Sequence, residues 1–197
     1  MNQLSDEEKD IDFKQFLDCL FEAGTGMDDE HYFQVYVAGS ENNKYLERVY
    51  CYELYHQLRC KMKINGKLDI YKLDGEHDKA GHPIIKGKPK PDFIVSKPKS
   101  MEKNLVLIEV KPITAYLPYI KNDIKKLKLF IKNYKYFRGI LLIYGNDNDG
   151  LLSKINSLFF SSLENSLKDN SILLIWHKGP RETPEVVTDP GPANTKN

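Results

Sequence analysis

Residues 91–113, PDFIVSKPKSMEKNLVLIEVKPI, contain two apolar runs with charges set at their ends. Phe93-Ile94-Val95 and Leu105-Val106-Leu107-Ile108 have the β-branched and aromatic bias of buried strands, and a connector rich in Lys, Pro and Ser joins them. Asp92 heads the first run, Glu109 and Lys111 close the second, and sixteen residues separate Asp92 from Glu109. Strand alternation puts Glu109 and Lys111 on one face. Charge inside a core strand is costly unless it is paired or holds a metal. Two carboxylates and a lysine on neighbouring strands read as a hard oxygen site for Mg²⁺ or Mn²⁺, with an ammonium close to the water such an ion would activate. Pro91 and Pro112 flank the two runs, where proline is tolerated.

Upstream, NKYLERVYCYELYHQLRCKM predicts a helix from Asn43 to Met62, and LDIYKLDGEH an extended run. Downstream, a lysine-rich amphipathic helix from Tyr119 to Tyr134 leads into the apolar strand GILLIY, and a helix from Leu151 to Lys168 leads into SILLIW. At the start, Ser5 and Glu8 form a capping box for a helix from Ser5 to Ala23, ended by Gly24 and Gly26, and HYFQVYV (31–37) reads as a short extended segment. The order α, β, β, β, α, β, α, β predicts an α/β fold with a mixed central sheet flanked by helices. Residues 1–42 are expected to pack on a core domain of 43–178. Residues 179–197, with four prolines, are expected to form a flexible tail.

At 197 residues the chain is long enough to bury a core without staples. It has no apolar run near the ~20 residues of a membrane span and no basic-then-apolar secretory start. Cys19, Cys51 and Cys60 form no CxxC pair, which argues against a disulfide framework and for a reducing cytosol. The net charge of +1 hides a segregation. Residues 1–53 carry 13 acids against 4 Lys/Arg, whereas 54–138 carry 20 Lys/Arg against 8 acids. A basic middle suits a polyanion.

Glu53 supplies a further acid. On the 43–62 helix, Leu46, Val49, Tyr50, Gln57 and Cys60 fall within roughly 60° of it, which predicts that it faces the sheet. Glu47 and Arg48 read as surface or first-turn charges. Lys121, Lys125, Lys126, Lys128 and Lys132 give the 121–138 helix a cationic face, with Asp123 its sole acid and Tyr134, Tyr136 and Phe137 offering stacking surface. Lys86, Lys88, Lys90, Lys97 and Lys99 fall on loops next to Asp92. The stretch DGEHDKAGH (74–82) reads as a charged loop lacking the spacing of a calcium loop; it precedes the Asp92 strand, and Glu76 is its candidate for lining the cleft.

A helix with an internal Glu, then Pro-Asp, then Glu-x-Lys on the next strand resembles the PD-(D/E)xK nucleases, the restriction-endonuclease-like superfamily. The resemblance spans about Tyr45 to Tyr144. It implies an αβββαβ core and metal ligation by Asp92, Glu109 and the Val110 carbonyl. In this likeness Lys111 orients or activates the attacking water, and Glu53 contacts the metal directly or through water. Implied further are an Mg²⁺- or Mn²⁺-dependent nuclease acting on DNA ahead of RNA, a dimer or protein partner for targeting, and a bacterial or phage defence setting. Lys86, Lys88, Lys90, Lys97, Lys121, Lys125 and Lys128 would touch the nucleic acid. One rival is a nuclease-like domain that binds nucleic acid or a protein without cutting. Another is an unrelated α/β protein whose buried acids form salt bridges.

Overall fold

The apolar run at 105–110 becomes the middle of a six-stranded sheet because both its faces are covered. In the computed structural model, which describes residues 5–36, 39, 43–75, 90–98, 103–163 and 171–188, the strands are β1 (Lys72–Gly75), β2 (Phe93–Ser96), β3 (Asn104–Pro112), β4 (Arg138–Tyr144), β5 (Ile172–His177) and β6 (Glu185–Val186). They lie side by side in chain order. β1, β2 and β3 form an antiparallel meander, β3, β4 and β5 run parallel, and β6 closes the edge antiparallel to β5.

The helices are α1 (Asp6–Thr25), α2 (Glu47–Asn65), α3 (Leu117–Tyr134) and α4 (Leu151–Leu163). Because the parallel strands advance in one direction, right-handed crossovers put α3 and α4 on the same face. The other face is left to α1 and α2. The sheet residues divide accordingly. Val106, Ile108, Val110, Ile140, Leu142 and Tyr144 pack with the Phe16 and Leu20 side of α1 and with Tyr50, Leu54 and Leu58 of α2. Leu107, Leu141 and Ile143 pack with Ile124, Leu127 and Phe130 of α3 and with Phe159 of α4. The α/β class, the mixed sheet and the flanking helices match the sequence expectation, and α1 opens with the expected capping box between Ser5 and Glu8.

Three boundaries differ. α2 begins at Glu47 rather than Asn43, after a Leu46 N-cap that makes no side-chain cap bond. The 31–37 segment is a 3-10 turn at Glu30–Tyr32 followed by an isolated bridge between Val35 and Lys44, with residue 37 outside the described part. Residues 179–188 are not a loose tail. Arg181 N–H donates to the Met27 carbonyl (2.9 Å), Thr183 meets Thr25 (3.0 Å), and Pro184 lies where a Cβ on Gly24 would fall, so only glycine fits there. Two residues then pair with β5. Residues 189–197 lie outside the described part, as do 76–89 with Glu76 and 164–168 of the predicted fourth helix. No described helix is long and apolar enough to cross a membrane.

Candidate active site

β2 begins at Phe93, opposite Ile108, so the last residues of β3 run past its end. Asp92 fills that gap. Its Oδ2 accepts the Val110 N–H at 2.7 Å, the position a neighbouring strand's carbonyl would otherwise take. The Val110 carbonyl accepts from Lys111 Nζ at 3.0 Å. The ladder thus stops at a point where a carboxylate, a free-ended carbonyl and an ammonium meet.

Glu109 and Lys111 both point to the face covered by α3, as alternation requires. Glu109 is 1% exposed, and its Oε2 lies 2.7 Å from Lys126 Nζ. The same ammonium is 3.3 Å from Asp123 Oδ1 and 3.4 Å from the Lys90 carbonyl. Lys111 Nζ is 2.8 Å from Glu47 Oε2 and 3.6 Å from Asp123 Oδ2. Four elements therefore contribute: the head of β2, the end of β3, the first residue of α2, and one turn of α3. Four acids share two lysines.

Burial sets the proton affinities first, and the neighbouring charges adjust them. Burial pushes the Asp92 carboxyl up to about 6, against the lowering effect of the Val110 N–H. Burial also raises Glu109 well above the ordinary glutamate range, and the nearby Asp92 adds to the shift. For Lys111, burial favours the neutral amine, but Glu47, Asp123 and Asp92 outweigh it and hold the ammonium above its ordinary value. Lys126 behaves likewise, with Glu109 as its main partner. Both lysines are held as cations, while burial raises the proton affinity of Asp92 and Glu109.

The expected helical acid is corrected. Glu53 is half-buried, accepts from Gln57 Nε2 at 2.6 Å and lies near Tyr32, whose phenol it raises. It sits six residues along α2 from Glu47, about 9 Å at 1.5 Å per residue. Glu47 takes the place expected for Glu53. The buried stripe of α2 is Tyr50, Leu54, Leu58 and Met62, and Glu47 lies roughly 20° from Leu54 on the helical wheel, Glu53 about 100° away. Asp123 and Lys126 were also missed as a site pair. Asp123 lies within roughly 60° of Ile120 and Leu127, a signal hidden by the surrounding lysines.

The cationic residues divide. Lys121 and Lys125 are exposed on α3, and Lys90 lies at the cluster through its carbonyl. Lys128 instead donates to the Ser162 carbonyl, tying α3 to α4. Lys97 lies at the far end of β2 from Asp92, in the turn closed by its N–H to the Lys103 carbonyl. Lys86, Lys88 and Lys99 fall outside the described residues. Tyr134 and Tyr136 are buried in the core, and Phe137 packs under the Arg138 guanidinium at 3.9 Å, so none offers a stacking face.

The donor set suits a hard divalent cation. Glu109 Oε1 is buried without a hydrogen-bond partner among the described residues, and Asp123 Oδ2 has only the longer approach of Lys111. Buried anionic oxygens in surplus are what such an ion satisfies. Among the described residues, no three His, Cys, Asp or Glu side chains already converge as a metal site. Lys111 bridges Glu47 and Asp123, and Lys126 bridges Glu109 and Asp123. Metal entry would therefore compete with Lys126 for Glu109. No protein-family model matches the chain, and no curated protein is significantly similar to it.

Proposed function

We propose that this chain is a divalent-metal-dependent nuclease with a restriction-endonuclease-like core, of PD-(D/E)xK type, cleaving DNA in preference to RNA. One observation carries the reading. Where β2 begins beside β3, Asp92 accepts from the Val110 N–H, Lys111 bridges the Val110 carbonyl and Glu47, and Glu109 lies on the same stretch of β3, paired with Lys126. The αβββαβ order of α2 to β4 supports it.

Asp92, Glu109 and the Val110 carbonyl would hold the ion, with Glu47 next to it. Bound Mg²⁺ or Mn²⁺ would supply Lewis acidity at the scissile phosphate and lower the pKa of an attacking water. Lys111 is positively charged in this environment, so its part is to donate: it orients the nucleophile and offsets charge developing on the phosphate. Asp123 lies within ion-pair reach of both ammoniums and fixes their spacing. Lys126 keeps Glu109 neutralised until an ion takes its place.

A second reading, binding of nucleic acid or a protein without cleavage, is favoured by those same ion pairs, since they leave each lysine satisfied without a metal. Incubation of labelled DNA with Mn²⁺ separates the two. Nuclease function predicts cleavage that falls at least ~100-fold in Asp92→Ala and Lys111→Ala while the fold is retained. Undiminished cleavage by either variant contradicts the assignment, and absence of cleavage by the wild type leaves the binding reading.

A further inference from the structure

Two cavities adjoin the acid–lysine cluster, and Glu47 lines both. The first, about 370 Å³, is lined by Glu47, Asp92, Arg48, Tyr52 and Tyr55. The second, about 490 Å³, is lined by Glu47, Lys111, Asp123, Tyr116 and Tyr119. Both fall within the ~300–1,000 Å³ of sites that hold a small organic group.

Both carry exposed aromatic rings. Tyr52, Tyr116 and Tyr119 are 66%, 67% and 63% exposed, as is Tyr36 (74%) away from these cavities, whereas Tyr50, Tyr71, Tyr134, Tyr136 and Tyr144 are all buried. Three large exposed rings therefore stand beside the acid–lysine cluster. Tyr55, which also lines the first cavity, donates its hydroxyl to the Leu73 carbonyl (3.2 Å) and lies nearly parallel to Phe93, their planes 25° apart. Tyr116 and Tyr119 meet edge to face at 5.7 Å in the first turn of α3, which Pro118 stiffens.

We infer that these cavities receive the two nucleobases flanking the phosphate held at the cluster, so that the substrate strand is unpaired there. The inference rests on the nuclease reading for the phosphate and goes beyond it in naming the form of the strand. In a paired duplex, both faces of every internal base are covered by its stacked neighbours, and a tyrosine ring beside the backbone finds no π-face to meet. In a single strand, a flap or a frayed end the faces are open, and aromatic rings become sequence-tolerant platforms. Exposed rings in both cavities beside the cluster favour such a strand. Nothing in this arrangement separates DNA from RNA, because the π-faces are shared and a 2′-hydroxyl has no assigned partner.

The test is fluorescence anisotropy with the full chain carrying Lys111→Ala, so that binding is read without turnover, in Mg²⁺. The probes are a labelled single-stranded DNA, the same sequence as RNA, and the blunt DNA duplex. Expected is at least ~10-fold tighter binding of the single-stranded DNA or RNA than of the duplex, with Tyr52→Ala and the double variant Tyr116→Ala/Tyr119→Ala each weakening it by roughly 5- to 100-fold, while the corresponding Phe variants retain it. Equal binding of duplex and single strand, alanine variants that keep their circular dichroism and their affinity, or failure to bind any strand would each overturn the inference. Cleavage by the unsubstituted chain is scored separately. Tyrosine-dependent strand binding without cleavage upholds this inference and defeats the nuclease reading. Duplex cleavage indifferent to the tyrosines does the reverse.

Discussion

Among the described residues, His177 and Glu109 each centre a buried polar group, and the two are buried differently. Around His177, the imidazole shares a 2.7 Å hydrogen bond with Tyr50, Tyr50 stacks on Tyr144 at 3.9 Å, and the Phe33 ring edges against all three. Burial pushes His177 down to about 4, so that knot is neutral at pH 7. The cluster around Glu109 is charged and carries more acids than lysines. Both leave oxygens without a hydrogen-bond partner among the described residues, Tyr144 Oη in the first and Glu109 Oε1 in the second. A lone neutral oxygen costs about 1–3 kcal/mol, which packing readily offsets. A lone buried anion costs more, and its environment raises its proton affinity instead. Neutral buried polarity holds the fold together here; unbalanced buried charge marks the place where chemistry is proposed.

The largest expected contrast comes from Lys126. Lys126→Met removes the partner of a buried carboxylate, and metal-free stability should fall by about 2–4 kcal/mol, less than for a wholly enclosed pair because Lys126 keeps some solvent contact. Mn²⁺ should restore much of that loss, read as a rise in Tm on titration. A fall that Mn²⁺ does not reverse would make the cluster as purely structural as the histidine knot.

Tyr50→Phe should cost about 1–3 kcal/mol in urea unfolding by removing the hydroxyl bonded to His177 Nδ1. It should leave Mn²⁺ affinity unchanged; an altered affinity would mean the two groups are not separate.

Asp92 predicts a pH effect of similar size. Its folded pKa, about 6, lies above the ordinary value of 3.8, so its contribution to stability is complete below pH 3.8 and is lost as pH rises through 6. In EDTA, wild type minus Asp92→Asn should therefore lose about 1–3 kcal/mol of stability between pH 4 and pH 7. A flat difference would remove the surplus charge from Asp92.

Much of this was legible in the sequence because strands advertise themselves simply. An acid or lysine inside an apolar run stands out, and period-2 alternation assigns its face, which is why Asp92, Glu109 and Lys111 were placed together from residues 91–113. Helices were less forgiving. Beginning α2 at Asn43 rather than Glu47 made Glu47 look like a surface charge, and a stripe centred on Glu53 missed the true phase of Tyr50, Leu54 and Leu58. Asp123 and Lys126 lay among neighbours of the same composition, so only packing against β3 distinguished them from Lys121 and Lys125. The pairing of β6 was beyond sequence reasoning, since two residues are held there by the fit of Pro184 against Gly24.

Calorimetric titration of Mn²⁺ into the full chain at pH 7.5 addresses the central claim most directly. The account predicts saturable binding by the wild type at or below millimolar concentration, unchanged in Glu53→Gln and lost in Glu109→Gln. Binding that survives Glu109→Gln, or is absent from a folded wild type, would contradict it.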